Sequence, residues 1–335
     1  MKAYELNEFG IDHVRQVVMD EPTPGPGQVL VRLNAASINY RDFMICAGQF
    51  GVSSDLPIVP LSDGAGEVVA IGDGVTSLAA GDHVSPLFFP RWMSDDALGD
   101  ERAVSTGLEA DGCLREYGVF NASGVVKNAA HLTDEQAACF PCAGLTAWNA
   151  LVTTSNIQSG DTVLVLGTGG VSIFALQFAK ALGARVIVTS ASNEKLERAR
   201  ALGADDVINY RETPDWGLAV KEMTGGRGVD VVVEVGGAST LGESFKAIRR
   251  GGHIPIIGAL AGAKMDILVY DLIGTNAHVH GISVGNRSDC EDMMRFVGKH
   301  KITPVIHRSY AFADAVGAIR DIDHAEHIGK LTVII

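Results

Sequence analysis

The run DTVLVLGTGGVSIFALQFAKALGARVIVTS, residues 161–190, constrains the fold more than any other stretch. Five apolar residues, TVLVL at 162–166, end on glycine and read as a strand buried on both faces. A glycine-rich turn follows, then VSIFALQFAKALG with helical spacing, then a second apolar run, RVIVT at 185–189. Strand, helix and strand of these lengths make a βαβ unit with a parallel sheet. The pattern continues through NEKLERARALG, DVIN (206–209), VDVVVEV (229–235), HIPIIG (253–258) and HVHGISV (278–284). Six such strands predict a complete doubly wound α/β sheet of the Rossmann type.

The flanking sequence differs. Residues 1–125 hold short apolar runs punctuated by Gly and Pro, such as QVLVRL after PTPGPG, which predicts an irregular β-rich domain. Residues 91–112 lack any period and read as a long loop. TDEQAACFPCAGLTAWNAL has helical spacing, with Thr133 and Glu135–Gln136 at its start. After about 285 the chain reads helix, strand, helix, strand.

Composition narrows the function. With 335 residues there is room for two domains, each with its own core. The net charge of −13 disfavours nonspecific binding to nucleic acid or anionic membrane. No run reaches the roughly 20 apolar residues of a membrane span, and KAYELNEFG after Met1 has no apolar signal core. Five scattered cysteines, Cys46, Cys113, Cys139, Cys142 and Cys290, read as reduced thiols of a cytoplasmic protein. Cys139 and Cys142 form a CxxC without a second pair and read as buried, inert thiols.

The glycine turn predicts a dinucleotide. Gly167 permits the tight turn, and Gly169, Gly170 and Val171 bring backbone N–H groups to a pyrophosphate at the helix N-terminus. The sixth position of G-x-G-x-x-G is Ser172 rather than glycine, small enough to keep helix and sheet close. NAD enzymes place an acid about 20 residues on for the ribose 2′-OH. Here that window reads VTSAS, 188–192, with no acid. Ser190, Ser192 and Lys195 instead offer donors and a cation to a 2′-phosphate, with Tyr210 closing the pocket, so NADP(H) is the expected coenzyme. The alternative is that Ser192 is only a helix cap and Lys195 only surface charge.

These residues, together with PGPGQVLVRLNAASINYRD, PLSDGAGEVVAIGDGV, PCAGLTAWNAL and EKLERARALGADDVINYRE, resemble the medium-chain dehydrogenase/reductase superfamily almost end to end. Within it they are similar to the zinc-independent, quinone oxidoreductase-like alcohol dehydrogenases. The resemblance implies a GroES-like catalytic domain, 1–125 plus 285–335, with a Rossmann dinucleotide domain, 126–284, inserted and the active site in the cleft. It also implies a homodimer. Where the zinc enzymes carry Cys, His-Glu and Cys, this chain has Asn39, Ser62-Asp63 and Cys142. One thiol is not the three-ligand set of a catalytic zinc, so no metal is expected. The structural zinc lobe would fall in 91–112, where no cysteine occurs.

Without a Lewis acid, an enone or quinone is the easier hydride acceptor, since its charge delocalises and hydrogen-bond donors can hold the enolate. By resemblance Asn39 orients substrate or coenzyme, Tyr40 donates a proton or hydrogen bond, and Asp42 holds their loop. Many quinone reductases have tyrosine where this chain has Phe50. The resemblance further places Thr146, Gly236, Gly258, Gly285, Arg287 and Lys330 along the coenzyme. Three readings stay open: an NADPH-dependent quinone or enone reductase acting on a small molecule, a metal-free alcohol/aldehyde dehydrogenase, and a non-catalytic NADPH-binding sensor.

Overall fold

β-Branched and apolar residues alternate with polar ones along Gln28–Ile38, and the chain there forms the longest strand among the described residues. The computed structural model describes residues 1–49, 56–94, 99–260, 262–264 and 267–335. Two units emerge from the contacts: Met1–Leu145 with Gly285–Ile335, and Thr146–Val284. Phe50 lies outside the described residues.

In the first unit, β1 (Lys2–Leu6) and β2 (Val14–Val18) form an antiparallel ribbon. The long strand β3 (Gln28–Ile38) pairs antiparallel with β4 (Asp63–Ile71) on one side. On its other side it pairs with β6 (Tyr117–Asn121). From β4 the sheet continues through β5 (His83–Pro86) to β7 (Val125–Lys127). Val29, Val31, Leu33, Val68, Val84 and Leu114 form the core of this unit. The β3–β4 register shifts near Leu33, opposite Gly66. A Cβ on Gly66 would stand 1.9 Å from the Arg32 carbonyl oxygen, so only glycine fits this close approach.

β3 runs straight into α1 (Tyr40–Cys46), with Asn39 extended at the junction. Asn39 N–H donates to Asp42 Oδ2 at 2.9 Å. Further on, Thr133 and Gln136 cap α2 (Asp134–Ala137) reciprocally, at 3.2 and 3.0 Å. The regular helix expected beyond it is broken. Phe140–Gly144 and Asn149–Thr154 are π-helical around the short α3 (Leu145–Trp148). Pro141 has no N–H to give the ladder, which accounts for the first widened turn. The expected domain boundary at 125/126 also moves. Asp134 accepts from Asn34 at 2.7 Å and meets His83 at 2.8 Å, which ties α2 to the β-rich unit. The chain leaves that unit only at Leu145. The loop 91–112 keeps its irregular character, held by Thr106 Oγ1 to Leu87 O (2.9 Å) and by Ser105 on Glu109 (2.7 Å); residues 95–98 are outside the described set.

The second unit is an all-parallel sheet of β8 (Thr162–Leu166), β9 (Arg185–Ser190), β10 (Asp206–Asn209), β11 (Val229–Val233), β12 (Ile248–Ile256) and β13 (His278–Gly281). Its order is β10-β9-β8-β11-β12-β13. Helices α4 (Gly170–Ala181), α5 (Asn193–Ala201), α6 (Trp216–Met223), α7 (Leu241–Ala247) and α8 (Val269–Thr275) connect the strands. The order reverses between β8 and β11, and the C-terminal ends of the strands at such a switch point are where open α/β sheets take ligands. The doubly wound expectation therefore holds in both strand order and direction.

The tail returns to the first sheet. After α9 (Arg287–His300) come β14 (Ile306–Ala311), α10 (Ala315–Asp321) and β15 (Lys330–Ile334). β15 pairs antiparallel with β3, Leu331 opposite Ile38, and β14 lies parallel on its outer side. No described helix is long and apolar enough to cross a membrane.

Gly66→Ala is expected to cost about 2–3 kcal/mol of folding stability, since its methyl must push strand backbone apart. Urea denaturation checks this; an unchanged midpoint would show that the β3–β4 approach relaxes freely.

Candidate active site

The turn after β8 has the shape that its glycines predict. Gly167 adopts φ 73°, a left-handed conformation that favours glycine, and its N–H donates to Thr189 O at 2.8 Å. Gly169 caps α4, and a Cβ built on Gly167 or Gly169 meets nothing within 4 Å. Internal packing therefore does not require glycine at 169; a group lying against the N-terminus of α4 would. Ser172 answers the irregular sixth position. Buried to 2% exposure, it donates Oγ–H to Leu166 O at 2.7 Å and stitches helix to strand. Val171 begins the first turn, after Gly170.

At the end of β9 no carboxylate stands among residues 188–192. Ser190 is buried, and its Oγ accepts from Ser192 N at 3.3 Å. Ser192 Oγ accepts from Lys195 N at 3.4 Å and so caps α5. Tyr210 N–H bonds Ser190 O at 3.1 Å, which brings the half-exposed Tyr210 ring to the same strand end. Ser190, Ser192, Lys195 and Tyr210 are thus gathered in one place, and these residues with the α4 turn fit a nicotinamide dinucleotide. Gly236 sits after β11, its N–H on the Glu234 carboxylate at 2.8 Å. A Cβ on Gly258 would meet Val235 O at 2.6 Å. Thr146 is buried on α3.

In the first unit the ends of three strands bring together a buried polar chain. Lys330 opens β15, 3% exposed, and its ammonium donates to Ile38 O at 2.7 Å and to Asn39 Oδ1. Because ammonium only donates, Asn39 must turn its carbonyl to Lys330 and its amide N–H away. That amide donates to Ser62 Oγ at 3.1 Å, Ser62 donates to Asp63 Oδ1 at 2.9 Å, and Cys142 N–H donates to Asp63 Oδ2 at 3.1 Å. Asp42 accepts Ser62 N–H at 3.2 Å and pairs with Arg41 at 3.6 Å. Arg41 is itself held by Thr106 O at 2.8 Å, Ser105 Oγ at 3.0 Å and the Phe88 ring at 4.6 Å.

Burial dominates the electrostatics. It raises Asp42 to about 6, with Arg41 pulling down and Asp63 pushing up. Asp63 is raised by the same burial, opposed first by Lys330 and then by its hydrogen bonds. Burial also lifts the Cys142 and Cys139 thiols well above their usual range. At Cys142 the neighbouring Asp63 adds to this. Both are free thiols.

Tested as a catalytic zinc site, the cluster does not fit. Zinc takes anionic or neutral lone-pair donors, commonly three from the protein. Here Cys142 is the one thiol, and the Asn39 amide and Ser62 hydroxyl are already paired to each other and, through Ser62, to the Asp63 carboxylate. A buried ammonium stands among them. Among the described residues no group of three or more His, Cys, Asp or Glu is arranged to hold a metal.

Not every expected residue joins. Tyr40 is 37% exposed, and its hydroxyl donates to the Asp323 carboxylate at 3.3 Å, outside the polar chain. Arg287 is engaged by Glu291 at 2.8 Å and by the carbonyls of Ala122, Ser123 and Val125. Gly285 packs on Leu145, where a Cβ would be 2.9 Å from the side chain. Glu234 escaped the sequence reading altogether. Fully buried, it accepts from Gly236, Gly237, Thr240 and Ser244 and fixes the turn after β11. Its signal was there: an acid inside the apolar run VDVVVEV.

Asp42 binds its proton more tightly folded than unfolded, since about 6 exceeds the ordinary 3.8. Its ionisation therefore lowers stability as pH rises through that window, and the effect is level above it. Asp42→Asn removes this dependence. Relative to the parent, the variant should gain up to about 3 kcal/mol between about pH 4 and pH 7. Urea titrations across that range check it; a constant difference would mean Asp42 does not titrate there.

Comparison with known proteins agrees with this architecture. Residues 25–130 match the alcohol dehydrogenase GroES-like domain, and residues 170–299 match the zinc-binding dehydrogenase family. A zinc-type alcohol dehydrogenase-like protein of Schizosaccharomyces pombe is 38% identical over 331 residues, 97% of this chain and 96% of that one. Among solved structures, a putative alcohol dehydrogenase from Sinorhizobium meliloti superposes with TM-score 0.94 at 38% identity, covering 100% and 98% of the two chains. An NAD-dependent alcohol dehydrogenase gives 0.91 at 32%, covering all of both. A mycobacterial quinone oxidoreductase gives 0.83 at 28%, again over all of both. With its nucleotide turn, strand order and near full-length identity to these proteins, the chain belongs to the medium-chain dehydrogenase/reductase superfamily and is an oxidoreductase of the alcohol dehydrogenase-like kind.

Proposed function

We propose that this chain is a zinc-independent, NADP(H)-dependent reductase of quinones or α,β-unsaturated carbonyls. The polar chain through Lys330, Asn39, Ser62 and Asp63 carries the reading, because it stands where the resemblance sets a metal's ligands. When bound, the nicotinamide supplies the hydride. The residues of this chain hold and orient. Backbone N–H groups of Gly169, Gly170 and Val171 take the pyrophosphate at the N-terminus of α4. Ser190, Ser192 and Lys195 take the 2′-phosphate, with no acid among residues 188–192 to repel it.

At the reacting end, Asn39 orients the substrate oxygen or the coenzyme amide, and its own amide is held in one sense by Lys330 and Ser62. Hydrogen-bond donors of this strength suit an enolate, whose charge is spread, better than an alkoxide. The small-molecule substrate and a cytoplasmic homodimer complete the proposal. The free cysteines suit a reducing compartment, and exposed Leu268, Val269, Tyr270 and Ile273 on and beside α8 suit pairing.

A second reading is a metal-free NAD(P)-dependent alcohol dehydrogenase. Similarity to the alcohol dehydrogenase-like proteins of S. pombe and S. meliloti favours its substrate class, and Ser192's role as a helix cap favours NAD(H) over NADP(H).

Lys195→Ala separates the coenzyme readings. It should weaken NADPH binding at least about tenfold more than NADH binding, the value of one charge-assisted phosphate contact. Equal losses in fluorescence titrations would remove the phosphate argument. On a panel of quinones, enones and aldehydes, turnover should be confined to the conjugated acceptors. It should survive a chelator, and elemental analysis should find no stoichiometric zinc. Turnover of simple aldehydes would move the assignment to the second reading, and chelator-sensitive activity would end the metal-free one.

A further inference from the structure

We propose that Lys330 is the resident cation of this site, an internal ammonium in the electrostatic place of a metal that sets the direction of the Asn39–Ser62–Asp63 hydrogen-bond chain. Lys330 is then a positioning residue acting through Asn39. The inference rests on the metal-free reading above.

Three observations carry it. First, Lys330 is 3% exposed, and its ammonium is turned inward onto Ile38 O and Asn39 Oδ1. A lysine that served phosphate would keep its head in water or on the anion. Second, the chain has one sense only. Each member donates to the next, from the ammonium through the Asn39 amide and the Ser62 hydroxyl to the Asp63 carboxylate, so positive charge stands at one end and negative at the other. Bonds in such a series polarise one another. Third, the buried charges balance. Arg41 and Lys330 oppose Asp42 and Asp63, and Lys330 draws down the pKa of Asp63, Asp42, Cys139 and Cys142 alike. It therefore lies near all four. Two buried carboxylates without that ammonium would be held against a large desolvation cost.

Charge compensation tests this on the full chain. Lys330→Met keeps the length and removes the charge; Asp63→Asn removes the opposing charge. Lys330→Met alone should lower Tm by roughly 10 °C near neutral pH. The loss should shrink at about pH 5, where carboxylates take up protons. A steric role would show no such pH dependence. The double variant Lys330→Met/Asp63→Asn should lose clearly less than the two single losses added together. If Lys330→Met does not fold, recovery of a folded protein on adding Asp63→Asn gives the same answer. Additive losses, a pH-independent loss, or a double variant no more foldable than Lys330→Met would each overturn the proposal. Zinc analysis of the parent protein tests the metal-free reading separately, so the two can fail apart.

Discussion

The pairing register of β3 is the constraint on which the β-rich unit depends. One strand hydrogen-bonds three partners, β4, β6 and β15, and its C-terminal end meets two of them at fixed positions. Ser37 faces Asp63 across one seam, and Ile38 faces Leu331 across the other. Asn39, Ser62 and Lys330 each lie one residue beyond those pairs, so they converge from three strands that are far apart in sequence. A slip of one residue in either seam would turn every side chain to the opposite face and dissolve the cluster. The glycine at 66, which allows β3 and β4 to approach, helps hold that register.

The cluster shows how a protein gathers four charges largely out of water, with Asp42, Asp63 and Lys330 buried and Arg41 partly so. Neither carboxylate is left alone: Asp42 takes Arg41 and two backbone N–H groups, and Asp63 takes Ser62 and Cys142 N–H while Lys330 stands near. Removing either cation would leave a buried charge without its counter-ion, which is far more costly than never having buried the pair. Such an arrangement is rigid because each group has few alternatives. Rigid polar groups around a reacting centre stabilise developing charge without first having to reorganise.

The nucleotide half depends on different physics. Its sheet is buried on both faces, so Val, Ile and Leu fill the strands, and the polar groups that matter appear only where strands end. Asp230, inside β11, and Glu234, just past its end, are both fully occupied with structural work. Asp230 holds Thr162 N–H, Arg227 and Arg249, which keep it at about 2. Glu234 fastens the turn after β11. In each case the carboxylate fixes the loop geometry beside a strand end rather than standing free to act on a ligand.

Local patterns were enough to read the doubly wound sheet, the start of α2, the glycine turn and the missing acid after β9, because buried parallel strands and helix caps leave period and composition signals within a few residues. The π-helical turns around α3 and the late domain boundary left no such mark. They arise from Pro141 and from the ties between Asp134 and the β-sheet, neither of which a periodicity measures. The residue types at Asn39, Ser62, Asp63 and Cys142 were legible in one dimension as well, since reading a residue type needs no fold. Only the tertiary structure decided that Lys330 turns inward to Asn39 and that Tyr40 turns outward to Asp323. Side-chain direction at a strand end or helix start follows from long-range register and packing, and no local propensity encodes it.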